Sequence, residues 1–116
     1  MTITTTTLKN AARAIEHDLF TDPDGCNYLV KDGAILRRWE PEHSSADSFE
    51  LAISLGLTIG NGYESAYVDL CCGEILSRMP RGGCQHDVPW SEFGGDKFAA
   101  CRKAVILCAA QIGAAL

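Results

Sequence analysis

Little in this sequence marks a destination or a chemistry. No basic residue and no apolar stretch opens the chain. Met1-Thr2-Ile3 runs straight into Thr4 to Thr7, so no secretory leader is expected. Long hydrophobic runs are missing too. The longest, Ala104 to Ala110, falls far short of the ~20 residues that a membrane span takes. Basic charge is scarce: 10 Lys and Arg stand against 15 Asp and Glu, for a net charge of −5. No basic stripe is therefore available to displace counterions from phosphates, and nucleic acid is an unlikely partner. Gly-x-Ser-x-Gly, a phosphate-cradling glycine loop and His-Glu-x-x-His do not occur. The six cysteines, with no export signal, are expected as reduced thiols, and a cytoplasmic location is expected with them.

What remains is the composition of a globular domain. Of 116 residues 47% are hydrophobic and 22% charged, which suits one domain over 1–116 with a real core. Thr6 or Thr7 can cap a first helix whose inner face carries Leu8, Ala12 and Ile15. Thr21-Asp22-Pro23-Asp24-Gly25 is a turn cluster. It echoes the start of a calcium loop but lacks that loop's further spaced oxygens. Asn27 to Val30 and Ala34 to Trp39 read as a hairpin about Asp32-Gly33, with Val30 facing Ile35 and Leu29 facing Leu36. Apolar pairs on both sides predict a sheet at least partly covered on both faces.

After Pro41, Ser44-Ser45-Ala46-Asp47 reads as a capping box. The helix behind it bears Phe49, Leu51, Ala52, Ile53 and Leu55 and stops at Gly56. A second hairpin, Leu57 to Ile59 and Tyr63 to Cys71, is expected to turn at Asn61-Gly62. Residues 73–95, with Pro80, Pro89 and several glycines, read as a long irregular connection. Asp96 then caps the clearest helix, with Phe98, Cys101, Val105, Cys108 and Ile112 on one stripe. The expected order is α-β-β-α-β-β-α. This is an α+β fold in which two hairpins form one mostly antiparallel four-stranded sheet, with helices packed on its faces.

Two stretches carry a resemblance. Trp39-Glu40-Pro41 followed by Ala46 to Leu57 resembles the W-x-P and D-A-x-x-L-A-x-x-L-G-L core of the phage ABA-sandwich proteins. Gly95 to Gly113 resembles that family's closing helix. The likeness covers roughly residues 26–116 and implies a helix–sheet–helix sandwich of phage or prophage origin. It carries no catalytic residue, and fold likeness alone supplies no function.

Candidate chemistry is thin. Cys71, Cys72, Cys84 and His86 are soft ligands of the kind zinc takes. Their spacing matches no common zinc module, and core cysteines beside a loop histidine are the simpler reading. Cys84 and His86 are also the only close thiol–imidazole pair. Cys101 and Cys108 on the last helix read as small hydrophobes. Candidate binding residues are Trp39 and Glu42, beside Pro41, as an exposed recognition patch, and Trp90 and Phe93 as aromatic anchors in the long connection. The sequence thus points away from an enzyme and from any cofactor. It favours a protein-interaction module that binds a host or defence factor, or itself. One alternative is a small metal- or ligand-binding domain. Another is an acidic mimic of nucleic acid using Asp22, Asp24, Glu40, Glu42, Asp47 and Glu50.

Overall fold

The computed structural model describes residues 2–70, 73–79 and 83–116. Helix α1, Thr5–Ala14, starts earlier than expected. Thr4 and Thr7 form the capping box, each side chain accepting from the other's backbone N–H. Leu8, Ala11, Ala12 and Ala14 form its buried face.

A strand that the sequence did not announce follows, β1 at Asp18–Thr21. It pairs antiparallel with β2, Asn27–Lys31, across a turn in which the Asp22 carboxylate accepts from the N–H groups of Asp24 and Cys26. Asp32 and Gly33, both at positive φ, close the next hairpin into β3, Ala34–Arg38. Val30 faces Ile35 as expected. A bulge after Leu29 then places Leu29 opposite Arg37 instead of Leu36.

Helix α2, Ser45–Leu55, is capped by Ser44 and stopped by Gly56 in the left-handed region. Asp47 does not reach back to complete a box. Its carboxylate accepts instead from the Glu40 N–H and the Arg37 guanidinium. Strands β4, Thr58–Gly62, and β5, Ser65–Asp69, form the second hairpin, but the turn residues are Tyr63 and Glu64. The stretch expected to be irregular holds α3, Glu74–Arg78, and β6, Gln85–Pro89, which pairs antiparallel with β5. A 3₁₀ turn, Trp90–Phe93, then leads to α4, Lys97–Ala115, capped by Asp96.

The single four-stranded sheet is therefore corrected. There are two three-stranded antiparallel sheets, β1-β2-β3 and β4-β5-β6. Each expected hairpin recruits one further strand, and the two hairpins do not join. The architecture is α+β. Coverage of the first sheet is partial on one face, where Phe20 and Ile35 are exposed beside half-buried Tyr28 and Val30.

Helix α4 is the centre of the core. Ala100 and Lys103 to Ala109 are buried, then Ile112 and Gly113, far more than one stripe. Its length and mean hydropathy of 1.4 would suit a membrane span. In the fold it is the element on which α1, α2, β5 and β6 pack. The crossing with α1 is close enough that a Cβ on Gly113 would lie 1.7 Å from the Asn10 carbonyl oxygen.

Candidate protein-interaction surface

The expected binding residues separate. Trp39 is 1% exposed and Pro41 is buried, so the patch proposed around them is corrected to core. The reason is local. The Trp39 N–H donates to the Asn27 carbonyl at 2.8 Å, and the Glu40 carboxylate accepts from both the backbone and the side-chain amide of Asn27. These bonds tie the strand exit down and turn the indole inward.

Glu42 stays half-exposed, and its carbonyl accepts from Arg102 Nε at 2.9 Å. It shares a depression of about 360 Å³ with Phe93, Glu92 and Lys103. Trp90 is half-buried against the core, with the Lys97 ammonium 4.5 Å from its ring centroid. Its indole N–H is buried with no hydrogen-bond partner among the described residues. Glu42 and Phe93 thus line one depression, Trp90 braces the turn beside it, and Trp39 stands apart.

Of the four candidate metal residues, Cys71 and Cys72 lie outside the described residues. Cys84 is buried, with Sγ 3.7 Å from the Cys108 carbonyl oxygen, whereas the His86 ring pairs with Gln111 Oε1 at 3.0 Å. Cys84 and His86 share a face of the chain entering β6 but make separate contacts with α4. Among the described residues no three metal-ligating side chains converge. The contact with Cys84, then burial, push the Cys108 thiol well above its ordinary range, and burial raises Cys101. Both are held as neutral thiols, the state least suited to a nucleophile.

A different surface emerges. Phe49 (61% exposed) and Ile53 (65%) stand one turn apart on α2, Ile59 (43%) lies on β4, and Phe98 (73%) opens α4. Phe49, Ile59, Phe98 and Cys101 line one groove of about 560 Å³ between the two helices and the sheet. Its polar lining is Ser45, Ser48 and Arg102, and no carboxylate takes part. The Arg102 guanidinium is tied to the Glu42 carbonyl and the Ser45 hydroxyl. Sequence reading assigned Phe49, Ile53 and Phe98 to buried faces. The missed signal was breadth: Phe49, Leu51, Ala52, Ile53 and Leu55 span more of α2 than one packing partner can cover.

A further depression of about 590 Å³ is lined by Arg13, Arg37 and Arg78 but also by Glu16 and Glu50. The Arg37 guanidinium there is held by Asp47 at 2.8 Å and Glu50 at 3.1 Å, which raises its already high pKa. Compared with known proteins, the chain matches no family model, no curated protein and no solved structure.

Proposed function

We propose that this chain is a non-enzymatic protein-interaction module whose binding face is the apolar surface of Phe49, Ile53, Ile59 and Phe98. The observation that carries it is the exposure of Phe49, Ile59 and Phe98 around one groove, with exposed Ile53 one turn along α2 from Phe49. Apolar patches of a few hundred Å² that stay open to water on a small domain mark interaction sites. Aromatic anchors in such a patch supply most of an interface's energy. The phage origin implied by the likeness of residues 39–57 and 95–113 belongs to the same proposal, and a host or phage protein is then the natural partner class.

The competing readings have less support. The thiol at Cys84 and the imidazole at His86 are engaged separately by α4. Much of the acidic pool works inside the fold. Asp22 holds a turn, Glu40 holds Asn27, and Asp47 and Glu50 hold Arg37.

The test is retention on immobilised protein, wild type against the Phe49→Ser/Phe98→Ser double variant. The probes are cell extract and, separately, a tagged second copy of the chain. Both side chains are mostly exposed, so the variant is expected to keep its fold, as judged by circular dichroism. Ligands held by wild type and lost by the variant support the face. Equal retention by the two proteins with both probes rejects it.

A further inference from the structure

We infer that the partner for this face is a second copy of the same chain, docked antiparallel along the edge of β4 to continue the β4-β5-β6 sheet. The inference rests on the reading that the Phe49–Phe98 face is a binding surface, and it names the occupant.

The edge strands single out β4. An open edge presents unpaired N–H and C=O groups, and proteins blunt such edges with charge, proline or bulges. Two sheets of three strands give four edges. Strand β1 carries Asp18, β3 carries Arg37 and Arg38, and β6 carries Asp87 and ends in Pro89. Strand β4, Thr58-Ile59-Gly60-Asn61-Gly62, has neither charge nor proline, and its register with β5 runs unbroken from Thr58↔Asp69 to Gly62↔Ser65. In an antiparallel ladder every second residue turns its backbone groups away from its partner, so Ile59 and Asn61 direct theirs to the side of β4 on which no strand pairs among the described residues.

Symmetry then joins the edge to the groove. Ile59 pairs with Val68 and Asn61 with Ala66, which puts Ile59 on the sheet face that α4 covers. Helix α4 packs on β5 and β6 and leaves β4 beyond its footprint. An antiparallel β4–β4′ pair has its two-fold axis perpendicular to the sheet. Both helix layers then lie on the same side and face each other across the two β4 strands. Phe49 and Phe98 of each copy rise at that border, over the trough floored by Ile59, and Ile53 lies one turn along α2 from Phe49. An isologous interface of this kind needs a self-compatible patch. Despite the net charge of −5, no carboxylate lines the groove, so the groove itself sets no acid against its own image.

Area agrees. At roughly 200 Å² for a fully exposed side chain of this size, the four residues present on the order of 450 Å² per copy. A standard interface takes about 800 Å² per partner, and the β4 main chain with the groove rims supplies surface toward the remainder. An extended peptide from another protein would satisfy the edge but leave Phe49 and Ile53, up on the helix layer, uncovered.

Sedimentation velocity of the purified chain over a dilution series tests this, with Ile59→Lys and Phe98→Glu as variants. The expected result is a particle of twice 12.5 kDa for wild type, dissociating in the micromolar range or below. Both variants should be monomeric with an unchanged circular dichroism spectrum. Should Ile59→Lys disturb the fold, Phe98→Glu, at a largely exposed position, carries the test alone. Hydrogen exchange adds the edge: β4 amides should exchange slowly in the dimer and faster in Phe98→Glu. A monomer at every concentration, a dimer indifferent to Phe98→Glu, or a dimer whose β4 amides exchange as in the monomer overturns the inference. Face-dependent retention of other proteins by a strictly monomeric chain would leave the interaction module standing and remove only the second copy.

Discussion

Lys103 of α4 and Glu92 of the 3₁₀ turn meet with Nζ 2.5 Å from Oε2, the lysine almost fully buried and the carboxylate partly open to water. The Phe93 ring lies 5.9 Å from the same ammonium. A buried ammonium is costly unless it is paired, and its aliphatic stem packs as a hydrophobe. Lys103→Ala removes stem and pair together and should cost about 2 kcal/mol. Lys103→Met keeps the stem, leaves Glu92 hydrated, and should stay within about 1 kcal/mol of wild type. Chemical denaturation measures both. A methionine variant as unstable as the alanine variant would show that the charge, not the stem, holds the turn.

Trp39 sets the second prediction. As one of the largest fully buried side chains it fills core volume, and Trp39→Ala should cost about 3–5 kcal/mol. Against a total of about 5–15 kcal/mol for a domain of this kind, that is enough to lower the thermal midpoint markedly. Trp39→Phe should keep most of the loss back. An alanine variant as stable as wild type would return Trp39 to the surface.

The contrast between Trp39 and the helix caps shows what the sequence could reveal. Ser44, Gly56 and Asp96 were legible because a cap satisfies orphan backbone groups within one turn, a local problem with a local answer. The Asp32-Gly33 turn was legible for the same reason. Strands β1 and β6 were not. Asp18–Thr21 and Gln85–Pro89 have little apolar alternation of their own and exist because β2 and β5 offer them edges.

At the second hairpin, Asn61-Gly62 is the better local turn, yet the chain turns at Tyr63 and Glu64. That register sets Ile59 against Val68 and keeps Ala66 and Val68 under α4, so packing outweighs turn preference. The proposed binding face was hidden by the same logic. Apolar residues at Phe49, Ile53 and Phe98 look like core until the sheet and α4 have used up the available cover. Glu42 and Phe93 do line a surface depression, because polar and aromatic residues between elements have fewer places to hide.

A third prediction concerns Gly113. Alanine is favoured over glycine inside a helix by about 1 kcal/mol, so Gly113→Ala would stabilise an isolated α4. In the fold the new Cβ would lie 1.7 Å from the Asn10 carbonyl oxygen and 3.1 Å from the Ala14 backbone nitrogen. These are main-chain atoms of α1 and cannot rotate away. The two helices must separate, and overpacking of this kind costs about 1–3 kcal/mol or more. The overlap should win, giving net destabilisation by thermal melting, whereas Ala114→Ser at an exposed position should be near neutral. A stabilised Gly113→Ala protein would mean that α1 and α4 are not in contact there.

The fourth prediction is alkaline. The Cys108 thiol is fully buried, its Sγ lies 3.3 Å from the Val68 carbonyl oxygen, and its contact with Cys84 raises its pKa above the ordinary 9.0. A thiol is neutral when protonated, so the folded state keeps a proton that the unfolded chain releases. The contribution is complete below the unfolded value and is lost as pH climbs beyond it toward the folded value. Above about pH 9 Cys108 should make stability fall, by up to about 1.4 kcal/mol per pH unit, while Cys84, whose thiol the same contact pushes down, acts in the opposite sense and reduces the net slope. Cys108→Ala should be less stable at neutral pH through lost packing, yet have the shallower alkaline slope. Denaturation midpoints from about pH 7.5 to about pH 10.5 separate the two effects, because linkage changes the slope and packing changes the offset. Equal slopes would mean that Cys108 reaches water in the folded protein, and its place in the core beneath β5 would have to be redrawn.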